Sequence, residues 1–523
     1  MKPTLTRAAL AALLLYASGS MAQDVLRRGN VSEPGSLDPH QARDVYEMNV
    51  IMDLFQGLTA WGPDGSVQGD AAESWEVSED GQVYRFHLRS GLKWSDGAPL
   101  TAEDFQYSFR RMLDPATVSP IAYLFFIIDK AKDVFAGRLP TEELGVRALD
   151  SLTFEIRLTE PALYFPQLLA HVSAAAVPRQ TIEKFGKGWT QAGRMVSSGP
   201  FMLEAWRPQD EIVLRKNPYF YAAAEVALQR VIYYPVADEE TALKKFRAGE
   251  LDVNWGFSTT KVEWLREHLP RETRTYPQLS LFYIVVNLRK PHLRDTRVRN
   301  ALSMAIDRQL LIDKMVRTGN PPAYSLVLPG TANYPEVAEA SFSALPMNER
   351  IALARSLLAD AGYGEDNPLE VTIEYTTARG QKNLPIVIAA MWKEIGVVTR
   401  FSMSEFKVIL DNLLIGEFEL FPTSWVGDYN DPTTFTMLLL PDATANYGGF
   451  RSEEYGDLHR RAAFTQDPAA RAALIRQAES IAVQSQAVIP IYFNVSRYLV
   501  SSRVEGWQDN LVNFHPSRYL RLE

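Results

Sequence analysis

The stretch KWSDGAPLTAEDF, residues 93–105, joins a turn to the start of a helix. Its SDG sequence is a turn signal, and Thr101 followed three residues later by Asp104 is a variant of the capping box. Upstream, residues 83–88 alternate apolar and polar side chains, as expected of a half-buried strand. The first third of the chain is therefore predicted to combine short strands, tight turns and helices.

Beyond residue 280 the sequence favours amphipathic helices that alternate with strands. One helix is predicted from Asp295, its cap, through Asp307, because apolar side chains recur there at helical spacing. The other predicted elements of this region are two helices, at residues 351–361 and 386–395, and two strands, at residues 282–286 and 490–495. This alternation predicts an α/β domain across roughly 280–500.

The composition is that of an ordinary globular protein, with 46% hydrophobic and 22% charged residues among 523. Lys2 and Arg7 are the only charged residues of the first 22, so the remainder has 52 basic and 63 acidic residues and a net charge of −11. This acidic excess argues against a nucleic-acid partner and against binding to an anionic membrane surface. The absence of cysteine excludes disulfides, thiolate metal ligands and thiol nucleophiles.

The first 22 residues have the pattern of a cleavable secretory signal. Lys2 and Arg7 precede an apolar run at residues 8–17, and the small residues Ser20 and Ala22 suit a signal peptidase. The run has ten residues, whereas a membrane span needs about 20. We therefore predict cleavage after about Ala22 and a soluble periplasmic protein without a membrane anchor.

No motif for catalysis or metal binding is present in the sequence. The seven histidines form neither an HExxH motif nor a pair four residues apart, and there is no G-x-S-x-G, Walker or G-x-G-x-x-G sequence. Residues 428–431, DYND, begin like an EF-hand loop, but the central glycine is missing and Leu439 stands where the bidentate Glu is required. The sequence thus predicts no catalytic residue, metal site or cofactor, although paired carboxylates of a glycoside hydrolase would leave no such motif.

Seven segments together are more informative than any one of them. They are EPGSLDP (33–39), LFQGL (54–58), AESWEVSEDG (72–81), KWSDGAPLTAEDF (93–105), SGPF (198–201), DTRVRNAL (295–302) and WVGDYNDP (425–432). In this order and at these separations they closely resemble the extracytoplasmic solute-binding proteins of peptide ABC transporters, family 5 of the peptide and nickel type. The resemblance covers essentially the whole chain after residue 22.

The resemblance implies an α/β fold, a two-lobed periplasmic-binding-protein clamp with an additional domain inserted in the first lobe. The implied parts are lobe I at residues 23–60, 190–280 and 505–523, the inserted domain at 61–189, and lobe II at 281–504. Hinges are expected where the chain changes lobe, near residues 280 and 505, and closure would bury an extended peptide.

Carried over residue by residue, the resemblance makes Asp428 the carboxylate that pairs with the α-ammonium of a peptide. Ser424 and Val426, which flank Trp425, match the strand whose backbone binds the peptide, and Val45 matches the opposing backbone contact. A buried carboxylate needs a cationic partner, and a free amino terminus supplies one. Without the resemblance, an Asx-type turn would account for residues 428–432.

The resemblance also implies aromatic walls around the ligand, formed by Tyr283 and Trp255. Phe406 stands where the family often has tryptophan. Ordinary core packing would account for all three rings without the resemblance, because aromatic side chains are readily buried.

Three positions depart from the pattern of the family. Pro422 replaces an arginine and Gln381 a histidine that hold the carboxylate of the peptide, and Arg43 replaces a glutamate of the N-terminal lobe. Proline cannot bind a carboxylate, so the preferred peptide length or C-terminal chemistry is expected to differ. Candidate replacement cations are Arg43, Arg317, Arg379 and Lys407.

The resemblance implies short peptides as ligands, inner-membrane permease subunits as partners, and a monomer without cofactor. A receptor of the same fold for a murein peptide, a nickel chelate or an oligosaccharide is an alternative. Asp428 favours a ligand that bears an amine over a sugar, because oligosaccharide sites favour neutral hydrogen bonding and stacking. A periplasmic hydrolase is the alternative of a different class, since the absence of a motif is weak evidence against an enzyme.

Overall fold

The structure is a computed structural model that describes residues 24–376 and 383–523, so the predicted signal at residues 1–22 lies outside the described residues. The strands in chain order are β1 (Val25–Gly29), β2 (Thr59–Trp61), β3 (Val67–Gly69), β4 (Ala72–Val77), β5 (Val83–Leu88), β6 (Val146–Ala148), β7 (Thr153–Arg157), β8 (Phe201–Arg207), β9 (Glu211–Lys216), β10 (Arg230–Tyr234), β11 (Val253–Trp255), β12 (Thr273–Val286), β13 (Glu370–Tyr375), β14 (Val398–Met403), β15 (Leu420–Val426), β16 (Val488–Val500), β17 (Val504–Glu505) and β18 (Arg521–Leu522). The α-helices are α1 (Val45–Leu54), α2 (Ala102–Leu113), α3 (Ala131–Phe135), α4 (Phe165–Leu168), α5 (Arg179–Phe185), α6 (Glu239–Arg247), α7 (Val262–His268), α8 (Pro291–Arg294), α9 (Thr296–Met304), α10 (Arg308–Leu311), α11 (Met347–Asp360), α12 (Leu384–Lys393), α13 (Phe406–Ile415), α14 (Thr433–Thr436), α15 (Glu453–Ala463) and α16 (Pro468–Gln484).

The chain divides into two compact units. Unit 2 comprises Pro277–Val495, and unit 1 comprises the described residues up to Tyr276 together with Ser496–Glu523. The chain therefore passes from one unit to the other within β12 and again within β16. The finer division predicted from the resemblance, with a domain inserted at residues 61–189, stays a prediction.

Unit 1 contains a mixed sheet in the strand order β16–β11–β1–β10–β9–β8. Strand β1 is parallel to both β10 and β11, whereas β9 pairs antiparallel with its neighbours β8 and β10. A separate antiparallel sheet, β4–β5–β7–β6, lies within residues 72–157. The carboxyl ends of β1 and β11 lie at the same edge of the mixed sheet, which brings Trp255 close to the residues that follow β1.

Unit 2 contains a sheet in the order β14–β13–β15–β12–β16. Strand β15 is antiparallel to β12 along its whole length, but it pairs with β13 at one position, Ile373 with Leu420. The eight residues of β12 from Leu279 to Val286 are all buried, so this strand forms the centre of the core of unit 2. Strand β15 is thus paired with β12 along its length, and on its other side the described residues pair with it only at its start.

The predicted elements are present, and one predicted helix is divided. Strand β5 has the predicted bounds, and the Thr101 N–H donates to the Asp104 carboxylate over 2.9 Å at the start of α2. The helix predicted from Asp295 through Asp307 is wrong in its length, because α9 ends at Met304. The Asp307 carboxylate accepts the Leu310 N–H and begins the separate helix α10, and a capping aspartate favours a new helix start over continuation.

Candidate ligand-binding site

The backbone of β15 bonds to β12 through its odd-numbered residues. The Gly427 N–H donates to the Leu279 carbonyl over 2.7 Å, and the Asn287 N–H donates to the Glu419 carbonyl over 2.9 Å. Hydrogen-bonded pairs alternate along an antiparallel ladder, and the register between these two bonds is continuous. Residues 419, 421, 423, 425 and 427 therefore face β12, and the even-numbered residues direct their N–H and C=O groups to the opposite side.

On that opposite side, the described part of β13 pairs with β15 only at Leu420. The next even-numbered residue is Pro422, which has no N–H to donate, so the ladder with β13 cannot continue through it. Within the described residues, no hydrogen bond reaches the backbone of Ser424 or Val426. Pro422 thus separates a paired part of this edge from an open part at residues 424–426, which we call the open edge.

The loop after β15 is held by Asp431 rather than by Asp428. The buried Asp431 carboxylate accepts two hydrogen bonds from Arg471, of 2.8 and 2.9 Å, and also the N–H and hydroxyl of Thr433. Asn430 accepts the Ala332 N–H over 2.9 Å. The bond from the Thr433 N–H to Asp431 is that of an Asx-type turn, and both residues take part in holding the loop.

Asp428 is half-buried and directly follows the open edge. Its N–H donates to the Thr434 hydroxyl over 3.0 Å, whereas its carboxylate has no ion pair or hydrogen bond within the described residues. Burial is the cause that raises the pKa of this carboxyl group from 3.8 to about 7. A half-buried carboxylate without a partner is a ready acceptor for a cationic group.

Gly427 connects the open edge to Asp428 and lies too close to its neighbours for a side chain. A Cβ atom there would stand 2.7 Å from Leu279 Cδ2 and 2.9 Å from Thr434 Cγ2. Because Thr434 also receives the Asp428 N–H, close packing at Gly427 fixes where the carboxylate stands relative to the strand.

Trp425 and Tyr283 lie on one face of the sheet, because paired residues of an antiparallel ladder share a face. The Trp425 indole N–H is buried and has no hydrogen-bond partner within the described residues. Tyr283 is 6% exposed and, with Leu281, Phe435 and Tyr447, lines an apolar cavity of unit 2. Burial raises the pKa of Tyr283 above its usual value, so the phenol stays neutral.

The other face of the same strands carries a small polar group next to the open edge. The Asn494 amide donates to the Ser280 hydroxyl over 2.8 Å and to the Ser424 hydroxyl over 3.3 Å. The Ser280 hydroxyl donates to the Trp425 carbonyl over 2.8 Å. Sequence reasoning missed Asn494 and Ser280, since only the register of three strands brings them to Ser424.

In unit 1, Val45 begins α1 directly after the capping residue Asp44. The Asp44 carboxylate accepts the N–H groups of Tyr46 and Glu47, over 2.9 and 3.2 Å, but no partner within the described residues takes the Val45 N–H. The first N–H groups of a helix have no partner within the helix. Val45 therefore keeps a backbone donor available for a ligand.

Trp255 ends β11, and its ring lies 5.1 Å from the ring of Tyr46. The Tyr46 carbonyl accepts the side-chain amide of Asn30 over 2.9 Å, which ties the start of α1 to the end of β1. Trp255 and Val45 are thus brought together within unit 1, with Tyr46 between them. Tyr46 was absent from the prediction because no motif marks it.

Arg43 of unit 1 and Phe406 of unit 2 are both exposed. The buried Glu47 carboxylate accepts the backbone N–H of Arg43, and the guanidinium has no ion pair within the described residues. Phe406 is the first residue of α13 and is 53% exposed. Of the other candidate cations, Arg317 and Lys407 are exposed, and Arg379 lies outside the described residues, as does Gln381.

No group of histidine and acidic side chains within residues 24–376 and 383–523 has the arrangement of a metal site. Over the same residues, no helix has the length and the apolar character that crossing a membrane requires.

Comparisons with known proteins agree on one family. The profile of the bacterial extracellular solute-binding proteins, family 5 Middle, matches residues 66–447. The chain is 36% identical to the periplasmic oligopeptide-binding protein OppA of Salmonella typhimurium, over 98% of this chain and 97% of the relative. It is also 36% identical to the "Probable deoxycholate-binding periplasmic protein YgiS" of Escherichia coli, over 91% of this chain and 89% of the relative.

A solved structure shares both fold and sequence with the chain. It is that of "MppA Periplasmic Murein Tripeptide Binding Protein, Unliganded Open Form", with a TM-score of 0.86 and 33% identity over 96% of this chain and 97% of the other. The α/β fold predicted from the resemblance is confirmed by this likeness. The relatives are binding proteins rather than enzymes.

Proposed function

Because the chain belongs to the bacterial extracellular solute-binding proteins of family 5, a family whose members serve peptide ABC importers, we propose that it binds short peptides by their amino terminus. The observation that carries this proposal is the position of Asp428. Among the described residues its half-buried carboxylate has no partner, and it stands just beyond Gly427 at the end of the open edge of β15, where backbone donors and acceptors also lack described partners.

The α-ammonium of the peptide pairs with the Asp428 carboxylate. A charge-assisted hydrogen bond of this kind is short and strong, and the ligand charge compensates the cost of burying the carboxylate. The pKa of Asp428 falls when the ammonium arrives, because an opposite charge stabilises the ionised form. A peptide without a free amino terminus leaves this carboxylate unpaired and binds weakly.

The peptide backbone pairs with the open edge as an added strand. Ser424 and Val426 each offer an N–H and a C=O group, so two ligand residues can form hydrogen-bonded pairs with β15. Backbone pairing gives affinity without reading side chains, which suits a receptor for peptides of varied sequence. Trp425, Tyr283, Phe406, Val45, Trp255 and Arg43 remain predicted ligand contacts.

The charge of Asp428 favours peptides over the other candidate ligands of proteins with this fold. Deoxycholate is an anion, and the uncompensated Asp428 carboxylate would repel it, whereas a peptide or a murein peptide with a free amine would be attracted. An oligosaccharide would leave the carboxylate without a counter-charge. A nickel chelate of net negative charge would likewise be repelled by the Asp428 carboxylate.

The carrier acts in the periplasm, as a monomer, and delivers its peptide to inner-membrane permease subunits. The relatives named periplasmic and the signal-like first 22 residues support this location. Cell fractionation with a C-terminal tag would show the protein in the periplasmic extract, and a protein confined to the cytoplasm would contradict the proposal.

Titration calorimetry with trialanine and N-acetyl-trialanine tests the role of the amino terminus. Acetylation removes the ammonium, and we expect it to weaken binding by about 2–5 kcal/mol, the cost of truncating one partner of a buried charge pair. Asp428→Asn should weaken trialanine binding to a similar degree. In the matched control Asp411→Asn, at an exposed residue of α13, trialanine should bind as it does to the wild type. Equal affinity for both peptides would contradict the proposal.

A further inference from the structure

Pro422 occupies an unusual place for proline, inside a strand with neighbours on both sides. It is buried and lies opposite Ile284 of β12. Proline is normally confined to edge strands or bulges, because it cannot donate to a ladder. The position is tolerated here because residue 422 is even-numbered, so the missing N–H lies on the side away from β12.

The missing donor also limits what can pair with the open edge. A peptide that starts at Asp428 and extends toward Pro422 runs against the direction of β15, so the two strands are antiparallel. With the ammonium at Asp428, the first ligand residue lies opposite Val426, the third opposite Ser424 and the fifth opposite Pro422. Each hydrogen-bonded pair consists of two bonds, one in each direction.

We propose that Pro422 ends the backbone ladder between receptor and peptide, so that complete hydrogen-bonded pairs form only within the first four ligand residues. The proposal rests on the proposed function and names the part of the peptide that is recognised. Opposite Pro422 the fifth residue can donate its N–H to the proline carbonyl, but its own carbonyl finds no donor. Further along, Leu420 is already paired with Ile373, and the edge is closed.

The side chain of Pro422 also limits how much of the peptide is recognised. Pro422 carries no charge, so it offers nothing to the C-terminal carboxylate of a tetrapeptide or pentapeptide that ends beside it. The open edge therefore lies between an anionic side chain, Asp428, and an apolar one, Pro422. The ligand class that fits is a peptide with a free amino terminus, whose fifth residue forms at most one hydrogen bond with β15 and whose later residues are neither paired nor selected by charge.

Calorimetry with trialanine and hexaalanine on the wild type and on Pro422→Ala tests this proposal. Alanine restores the N–H opposite the fifth residue, and one added hydrogen bond corresponds to about a three- to tenfold gain in affinity. The ratio of hexaalanine to trialanine affinity should rise by that factor in Pro422→Ala. In the control Thr423→Ala, whose backbone faces β12, the ratio should equal that of the wild type. An unchanged ratio in Pro422→Ala would overturn the proposal.

A second measurement leaves the protein unaltered. Two hexaalanine variants each carry an ester in place of one amide, because an ester carbonyl is a weaker hydrogen-bond acceptor. In the first variant the ester lies between residues 3 and 4, where the carbonyl accepts from the Ser424 N–H. In the second it lies between residues 5 and 6, where the carbonyl stands opposite Pro422. We expect the first ester to lower wild-type affinity at least threefold and the second to leave it unchanged. Equal losses from both would overturn the role of Pro422 while leaving peptide binding intact. If neither parent peptide binds to the wild type, the proposed function itself fails.

Discussion

At the scale of single residues, two aspartates three positions apart have different tasks. Asp431 is fully buried and paired with Arg471, whereas the half-buried Asp428 carboxylate has no partner in the part of the chain that the structure describes. The sequence shows both only as members of the DYNDP segment. Which carboxylate is free depends on a helix that begins more than thirty residues later and carries Arg471.

In the ligand-free protein, replacing Asp428 by asparagine should raise the stability at pH 8, and replacing Asp431 by asparagine should lower it. Folding raises the pKa of the Asp428 carboxyl group from 3.8 to about 7. The free energy of unfolding therefore falls as the pH rises from about 3.8 to about 7, and it stays lowered above pH 7. Asp428→Asn removes this loss of stability, so its melting temperature should exceed that of the wild type at pH 8, and the gap should close at pH 4. Asp431→Asn breaks a buried ion pair and should lower stability by about 3–5 kcal/mol.

Thermal unfolding of the ligand-free variants at several pH values checks both expectations. A melting temperature of Asp428→Asn below that of the wild type at pH 8 would show that the carboxylate has a stabilising partner. A melting temperature of Asp431→Asn equal to that of the wild type would show that the pair with Arg471 contributes nothing.

At the scale of elements, strand β15 decides which backbone groups are available to a ligand. The sequence supports a binding segment at residues 424–426 through its resemblance to the family. The reason that this segment stays open could not be predicted, because it depends on the parity of the register with β12 and on the single pairing with β13. The sequence shows that Pro422 departs from the pattern of the family. Only the strand order shows that backbone pairing along this side of β15 cannot continue through it.

Ser424→Pro tests whether the N–H of Ser424 faces a ligand. Its donor is directed away from β12, so the variant should fold, but the peptide loses a hydrogen bond and meets the proline ring. We expect at least a tenfold loss of trialanine affinity in calorimetry, since a lost bond and a steric block act together. In Ser424→Ala, which keeps the backbone donor, the loss should be less than threefold. Equal losses in both variants would place the contact at the hydroxyl instead.

At the scale of the whole molecule, the sequence predicted the α/β class and the family, and the location of the binding loop stays a prediction. The chain crosses between its two units within β12 and β16, strands that continue without a break through the crossing points. The resemblance implied changes of lobe near residues 280 and 505, but sequence patterns could not show that the crossings lie inside continuous strands, because a long strand has the same pattern within one unit or across two. The contributions of Arg43, Val45 and Trp255 to ligand binding stay predictions. Trp255 packs against Tyr46, the neighbour of Val45, and this contact joins residues that are more than 200 positions apart in sequence.

The central claim is that Asp428 receives the amino terminus of a peptide that is paired with β15. The crystal structure of the complex with trialanine tests it most directly. We expect the peptide nitrogen within about 3 Å of the Asp428 carboxylate, with the third residue bonded to the Ser424 backbone in both directions. A bound peptide whose ammonium lies in solvent or at another carboxylate, with the open edge of β15 unoccupied, would contradict the account.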